Sequence, residues 1–64
     1  MKKWRLSEFT EGWFIVETEA TGSDQEAIRA AVEEAEAGDA EAIAALLLCQ
    51  ESDPLVREML KEGK

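Results

Sequence analysis

Four glycines and a single proline divide this 64-residue chain, and the apolar periodicity changes at each division. Gly12 follows Glu11 between two stretches rich in aromatic and β-branched residues, the signature of a hairpin. Thr21-Gly22 ends the second stretch. Gly38 interrupts a three-to-four-residue apolar repeat, as a glycine does at a helix C-terminus. Asp53-Pro54 supplies a cap and a first-turn proline, and Gly63 closes the last segment. No segment between these marks is long enough for more than a short strand or a helix of a few turns. The divisions therefore predict one α+β domain over residues 1–64: a two-stranded antiparallel hairpin covered on one face by three short helices, in the order ββααα.

The hairpin spans about residues 2–20, and its register can be argued from side chains. A two-residue loop at Glu11-Gly12 would set Leu6 opposite Glu17 and mix polar with apolar faces. A three-residue loop, Thr10-Glu11-Gly12, pairs Phe9 with Trp13, Arg5 with Glu17 and Lys3 with Glu19 on one face, and Leu6 with Val16 and Trp4 with Thr18 on the other. The second register is favoured. It directs Trp4, Leu6, Phe14 and Val16 toward the helices and leaves Phe9, Trp13 and Ile15 outside.

Ser23-Asp24-Gln25-Glu26 has capping-box spacing and opens a helix over about 24–37, with Ile28, Ala31, Val32 and Ala35 as its apolar stripe. Asp39 opens a second helix over about 40–50, in which Ile43, Leu46 and Leu47 are expected to face the core. The third, over about 54–62, is expected to bury Leu55, Val56, Met59 and Leu60. A two-stranded ribbon is marginal alone, so the helices must cover it.

Catalysis finds little material here. The chain has no histidine and no tyrosine, which removes Ser–His and Cys–His nucleophile pairs. Its one cysteine, Cys49, cannot form an internal disulfide, lies in an apolar helical stretch and reads as a small buried hydrophobe. Glu34, Glu36, Asp39 and Glu41 crowd the first helix–helix corner without the alternate-position spacing of a calcium loop. No catalytic residue, metal site or cofactor is expected. Nor does an apolar run of signal-peptide or membrane-spanning length follow Met1-Lys2-Lys3-Trp4-Arg5. The reading is a monomer in a reducing cytoplasm.

Charge is the informative property. Seven Lys and Arg stand against 15 Asp and Glu, a net of −8. A nucleic-acid binder must neutralise phosphates and is basic, so direct binding to nucleic acid or to an anionic membrane is disfavoured, and a basic protein surface is the expected partner. From Leu6 to Val56 there are 13 acids and one base, a net of −12, while the remaining bases collect at the two ends. Asp24, Glu26, Asp39, Glu41 and Asp53 fall at helix N-termini, where the helix dipole favours them. Glu33, Glu34 and Glu36 occupy the C-terminal half of the first helix, where the dipole favours cations and neighbouring acids repel. The partner-binding region is therefore read as Glu17, Glu19, Glu33, Glu34, Glu36, Asp39 and Glu41, with Asp24 and Glu26 beside it. Duplex DNA carries one charge per roughly 1.7 Å of axis. Carboxylates one helical turn apart, about 5–6 Å, offer rows that a Lys/Arg groove can accept in place of phosphates.

With its hairpin over Trp4–Ala20, three short helices and this acidity, the chain resembles the small acidic anti-CRISPR proteins of phages and mobile elements, especially inhibitors of type I-C systems. The resemblance lies in plan, size and charge over the whole chain and carries no positional motif. It implies that Glu33, Glu34, Glu36 and their neighbours mimic duplex DNA and block, by stoichiometric occupancy, the DNA-binding channel of a CRISPR effector complex in a bacterial host. Two other readings stay open: an acidic interaction module such as an antitoxin, anchored by Phe9, Trp13 and Ile15, and a designed miniprotein without function.

Overall fold

The computed structural model describes residues 3–18 and 22–62. A hairpin of β1 (Trp4–Phe9) and β2 (Gly12–Glu17) is followed by α1 (Asp24–Glu36), α2 (Ala40–Cys49) and α3 (Pro54–Glu62). The two strands pair antiparallel as one sheet, and the ββααα plan is the one expected. Both strands pack on α1, β2 also packs on α2, and α1 packs on α2 and α3.

The helix boundaries follow local chemistry. Ser23 Oγ accepts the Glu26 amide at 3.2 Å and starts α1. At its far end Gly38 takes φ +100°. The Gly38 amide then donates to the Ala35 carbonyl and the Asp39 amide to the Glu34 carbonyl, each at 3.0 Å. That pair of bonds is a Schellman stop, which needs a left-handed residue at this position. Asp39 Oδ1 accepts the Glu41 amide at 3.0 Å and starts α2. Asp53 Oδ1 accepts the Leu55 amide at 3.1 Å and starts α3.

The register differs from the expected one by a single residue. Phe9 pairs with Gly12, Leu6 with Ile15, Arg5 with Val16 and Trp4 with Glu17, so the loop is Thr10-Glu11 alone. A one-residue slip exchanges the two faces of a strand. β1 keeps its expected inward residues, with Trp4 buried and Leu6 against the core, but on β2 it is Ile15 and Trp13 that turn inward. Phe14 and Val16 turn outward with Phe9. The expected Arg5–Glu17 pairing is absent from the register, and Glu19, with the Lys3–Glu19 pair, lies outside the described residues.

The cause of the shift is long-range. β2 has one edge on β1, and its other edge is met by side chains. Ser52 Oγ donates to the Trp13 carbonyl at 2.8 Å. Asp53 Oδ2 accepts the Ile15 amide at 3.3 Å, and Asp24 Oδ1 accepts the Glu17 amide at 3.3 Å. Three polar side chains thus stand in for a third strand and satisfy backbone groups that an edge would leave unmade. Gly12 fits beneath this corner at φ +136°. A Cβ there would lie 2.7 Å from Ser52 Oγ, so no other residue is accommodated without movement.

The core joins Trp4 and Ile15 of the hairpin to Ala27, Ile28 and Ala31 of α1, Ala42, Ala45, Leu46 and Cys49 of α2, and Val56 of α3. Four of these ten are alanines, which lets the helices approach closely. On α2 the buried stripe Ala42, Ala45, Leu46 and Cys49 has i, i+3, i+4, i+7 spacing. Ile43 and Leu47, expected inside, are 42% and 59% exposed, and Leu48 is 46% exposed. On α3, Leu55 is likewise 42% exposed, whereas Val56 is buried and Met59 and Leu60 are half-buried. The corrections on α2 have one origin. Size alone suggests that Ile and Leu go inside, but the stripe that is buried is Ala42, Ala45, Leu46 and Cys49.

Candidate acidic interface

Helical geometry sorts the acids of α1 into two sets. Residues three and four apart share a face, so Glu26, Arg29, Glu33 and Glu36 lie together on the side opposite Ala27, Ile28 and Ala31. All four are exposed. Arg29 sits one turn from both Glu26 and Glu33, leaving Glu36 at the end of the row. No basic residue occupies the last turn of α1. Lys3 borders a shallow hollow with Ala30, Glu33, Glu34 and Ala37, so a cation of the N-terminal segment approaches this face from one side.

Glu34 belongs to the other set. It is half-buried, and its Oε1 accepts the Trp4 indole N–H at 3.1 Å, joining β1 to α1. A buried indole N–H needs an acceptor, and Glu34 supplies it. Its place in the acidic run therefore has a structural reason that sequence spacing did not reveal. The Asp24 carboxylate is likewise joined to the scaffold, through the backbone amide of half-buried Glu17. Asp39 caps α2 and Glu41 lies exposed in its first turn, at the corner beyond Glu36. Glu26, Glu33 and Glu36 share the exposed outer face of α1.

A second surface was not legible in the sequence. Phe9, Phe14, Val16, Pro54 and Leu55 form an apolar groove of about 310 Å³ on the outer face of the hairpin, with Glu11, Asp24 and Asp53 also lining it. Phe9 and Phe14 meet edge to face, ring centres 5.4 Å apart and planes at 86°. The residues expected on that face with Phe9 were Trp13 and Ile15, and both turn inward instead.

Cys49 is fully buried. Burial, and secondly the negative charge of Asp53, raise its thiol from 9.0 to about 11. It is a protonated core residue at neutral pH, without the positive neighbour a reactive thiolate requires. Among the described residues no three His, Cys, Asp or Glu side chains converge to hold a metal ion, and no helix there is long and apolar enough to cross a membrane.

No protein-family model matches the chain, and neither a curated protein nor a solved structure shows significant similarity to it.

Proposed function

We propose that this chain is a non-catalytic acidic inhibitor that occupies a basic nucleic-acid-binding channel of a partner protein in place of the duplex. The resemblance in plan, size and charge makes a type I-C CRISPR effector complex the specific target to test. One observation carries the reading. Glu33 and Glu36 are exposed carboxylates in the C-terminal half of α1, where the dipole opposes them, and the last turn contains no base. Each such placement sacrifices a few tenths of a kcal/mol of helix stability. A partner that supplies Lys and Arg would offset that loss in the complex, and release of its counterions would make the affinity fall with salt. Glu26 and Glu41 extend the charged surface toward either end of α1.

The experiment is a charge reversal confined to these two positions. Glu33→Lys/Glu36→Lys should keep the parent's fold, with a stability change of about 0.5 kcal/mol or less, and lose the ability to displace labelled duplex from the effector complex. Undiminished displacement by this variant would end the proposal.

A second reading, an acidic interaction module such as an antitoxin, is favoured by the apolar groove. In that case Phe9 and Leu55 are the anchors, since aromatic and aliphatic side chains in a pocket dominate binding energy, and Glu11 forms part of the rim. Phe9→Ala would then abolish binding, whereas it leaves a phosphate mimic nearly unaffected.

A further inference from the structure

Among the described residues, every charged side chain lining the apolar groove of the hairpin is an acid: Glu11, Asp24 and Asp53. Asp53 is buried, and its two oxygens accept the Ile15 and Leu55 amides, so it is engaged within the fold. Glu11 and Asp24 are exposed, and they stand at opposite ends of β2. Glu11 comes just before the first residue of the strand, and the Asp24 carboxylate accepts the amide of the last, Glu17. A strand rises about 3.3 Å per residue, so six residues set the two acids roughly 20 Å apart along the groove. Between them the lining is apolar, with Phe9, Phe14 and Val16 on the hairpin and Pro54 and Leu55 across from it. Glu58, one turn beyond Leu55 on α3 and exposed, adds a further acid on that side. Arg5 lies across from Val16 on β1 and does not line the groove.

We propose that the groove takes an extended basic segment of another protein, with Lys or Arg at its two ends and aliphatic side chains between. The arrangement of charge selects that occupant. An acid at each end of an apolar floor is complemented by a base at each end of an apolar stretch, and a polyanion is repelled. A second copy of this chain, itself at −8, is repelled as well. Spacing selects the extended form. Side chains of an extended segment point to one side at every second residue, so bases at i and i+6 and aliphatics at i+2 and i+4 all reach the groove and match the roughly 20 Å between the acids. A helix is about 10–12 Å across, wide for an open hollow of about 310 Å³. Phe9 and Leu55, 51% and 42% exposed, are the apolar side chains such a segment would cover.

This inference rests on the second reading above, in which the groove is an anchor, and names the chemistry that it anchors. It does not depend on the charged face of α1.

The test is an NMR titration of the isotopically labelled full chain with the end-blocked peptide Lys-Ser-Leu-Ser-Leu-Ser-Lys. The amides of Phe9, Phe14, Val16 and Leu55 should shift and saturate, with a Kd on the order of 0.1–1 mM. Glu11→Gln/Asp24→Asn removes both charges and keeps an acceptor for the Glu17 amide, so it should fold as the parent does and bind roughly fivefold more weakly. Leu55→Ser alters an exposed side chain. It too should bind at least about fivefold more weakly, yet displace duplex in the effector assay as the parent does. Equal binding of Glu-Ser-Leu-Ser-Leu-Ser-Glu would overturn the basic occupant and leave the groove an anchor. Equal binding of a peptide with both Leu replaced by Ser, or shifts centred on Glu33 and Glu36, would show attraction by charge alone and overturn the proposal. No saturable shift with either the Lys-ended or the Glu-ended peptide would overturn both the proposal and the reading on which it rests.

Discussion

Individual residues in this chain divide by whether the fold gives them a task. Glu34 has one, since its carboxylate holds the Trp4 indole between strand and helix. Glu34→Ala should destabilise the domain by about 1–2 kcal/mol in urea unfolding, while Glu34→Gln, which keeps the acceptor, should cost less. Glu33 and Glu36 make the contrasting case. Reversing both to lysine should change stability by no more than about 0.5 kcal/mol, because the gain at the helix C-terminus is offset by the lost Arg29–Glu33 pairing and the repulsion of Arg29 by the new lysine. Cys49 yields a pH signature. Between about pH 9 and 11 its thiol loses a proton in the unfolded chain but retains it in the fold. The folded state then binds more protons, so stability falls as pH rises through that window, by roughly 2–3 kcal/mol at its upper end. Cys49→Ala should show a shallower decline over the same window in urea midpoints measured from pH 8 to 11. Below about pH 8 this thiol gives stability no pH dependence.

At the scale of elements, the α2–α3 corner does two tasks, starting α3 and completing the edge of β2. Asp53→Ala removes a cap and strands a buried amide, for about 2–3 kcal/mol, and should sharply speed hydrogen exchange at the Ile15 amide. Asp24→Ala should act at the Glu17 amide alone and cost about 1 kcal/mol or less. The same corner explains which parts of the fold were legible in advance. Helix starts and stops were readable because Ser23, Asp39, Gly38 and Asp53 act on backbone groups a few residues away. The hairpin register was not, because its determinants lie far along the chain: Ser52 and Asp53 bond to Trp13 and Ile15, and Gly12 is the one residue type that fits under Ser52. Local charge pairing favoured a register that this corner does not accommodate. The buried face of α2 escaped for a related reason, since α2 is apolar on nearly every side and its own pattern does not mark which stripe meets the neighbouring elements. In the acidic region, the dipole-opposed positions of Glu33 and Glu36 could be read from spacing, whereas the task of Glu34 required the position of Trp4.

The whole molecule, about 27 × 25 × 20 Å, has room for distinct surfaces with different physics. One is the charged face built on α1, proposed to meet a basic channel. A second is the apolar face of α2, where Ile43, Leu47 and Leu48 are exposed. The groove beside Phe9 and Leu55 is a third, and it is the surface a protein-anchoring function would use. Salt weakens the first contact, because ion-pair contacts are screened. The most direct test of the central claim is a titration of this protein into a purified type I-C effector complex holding labelled duplex, at low and moderate salt, with Glu33→Lys/Glu36→Lys run in parallel. The account predicts loss of bound duplex at near-stoichiometric protein, weakening as salt rises and at least tenfold weaker for the variant. Duplex binding that is undisturbed by the parent protein, or displaced equally well by the variant, would contradict it.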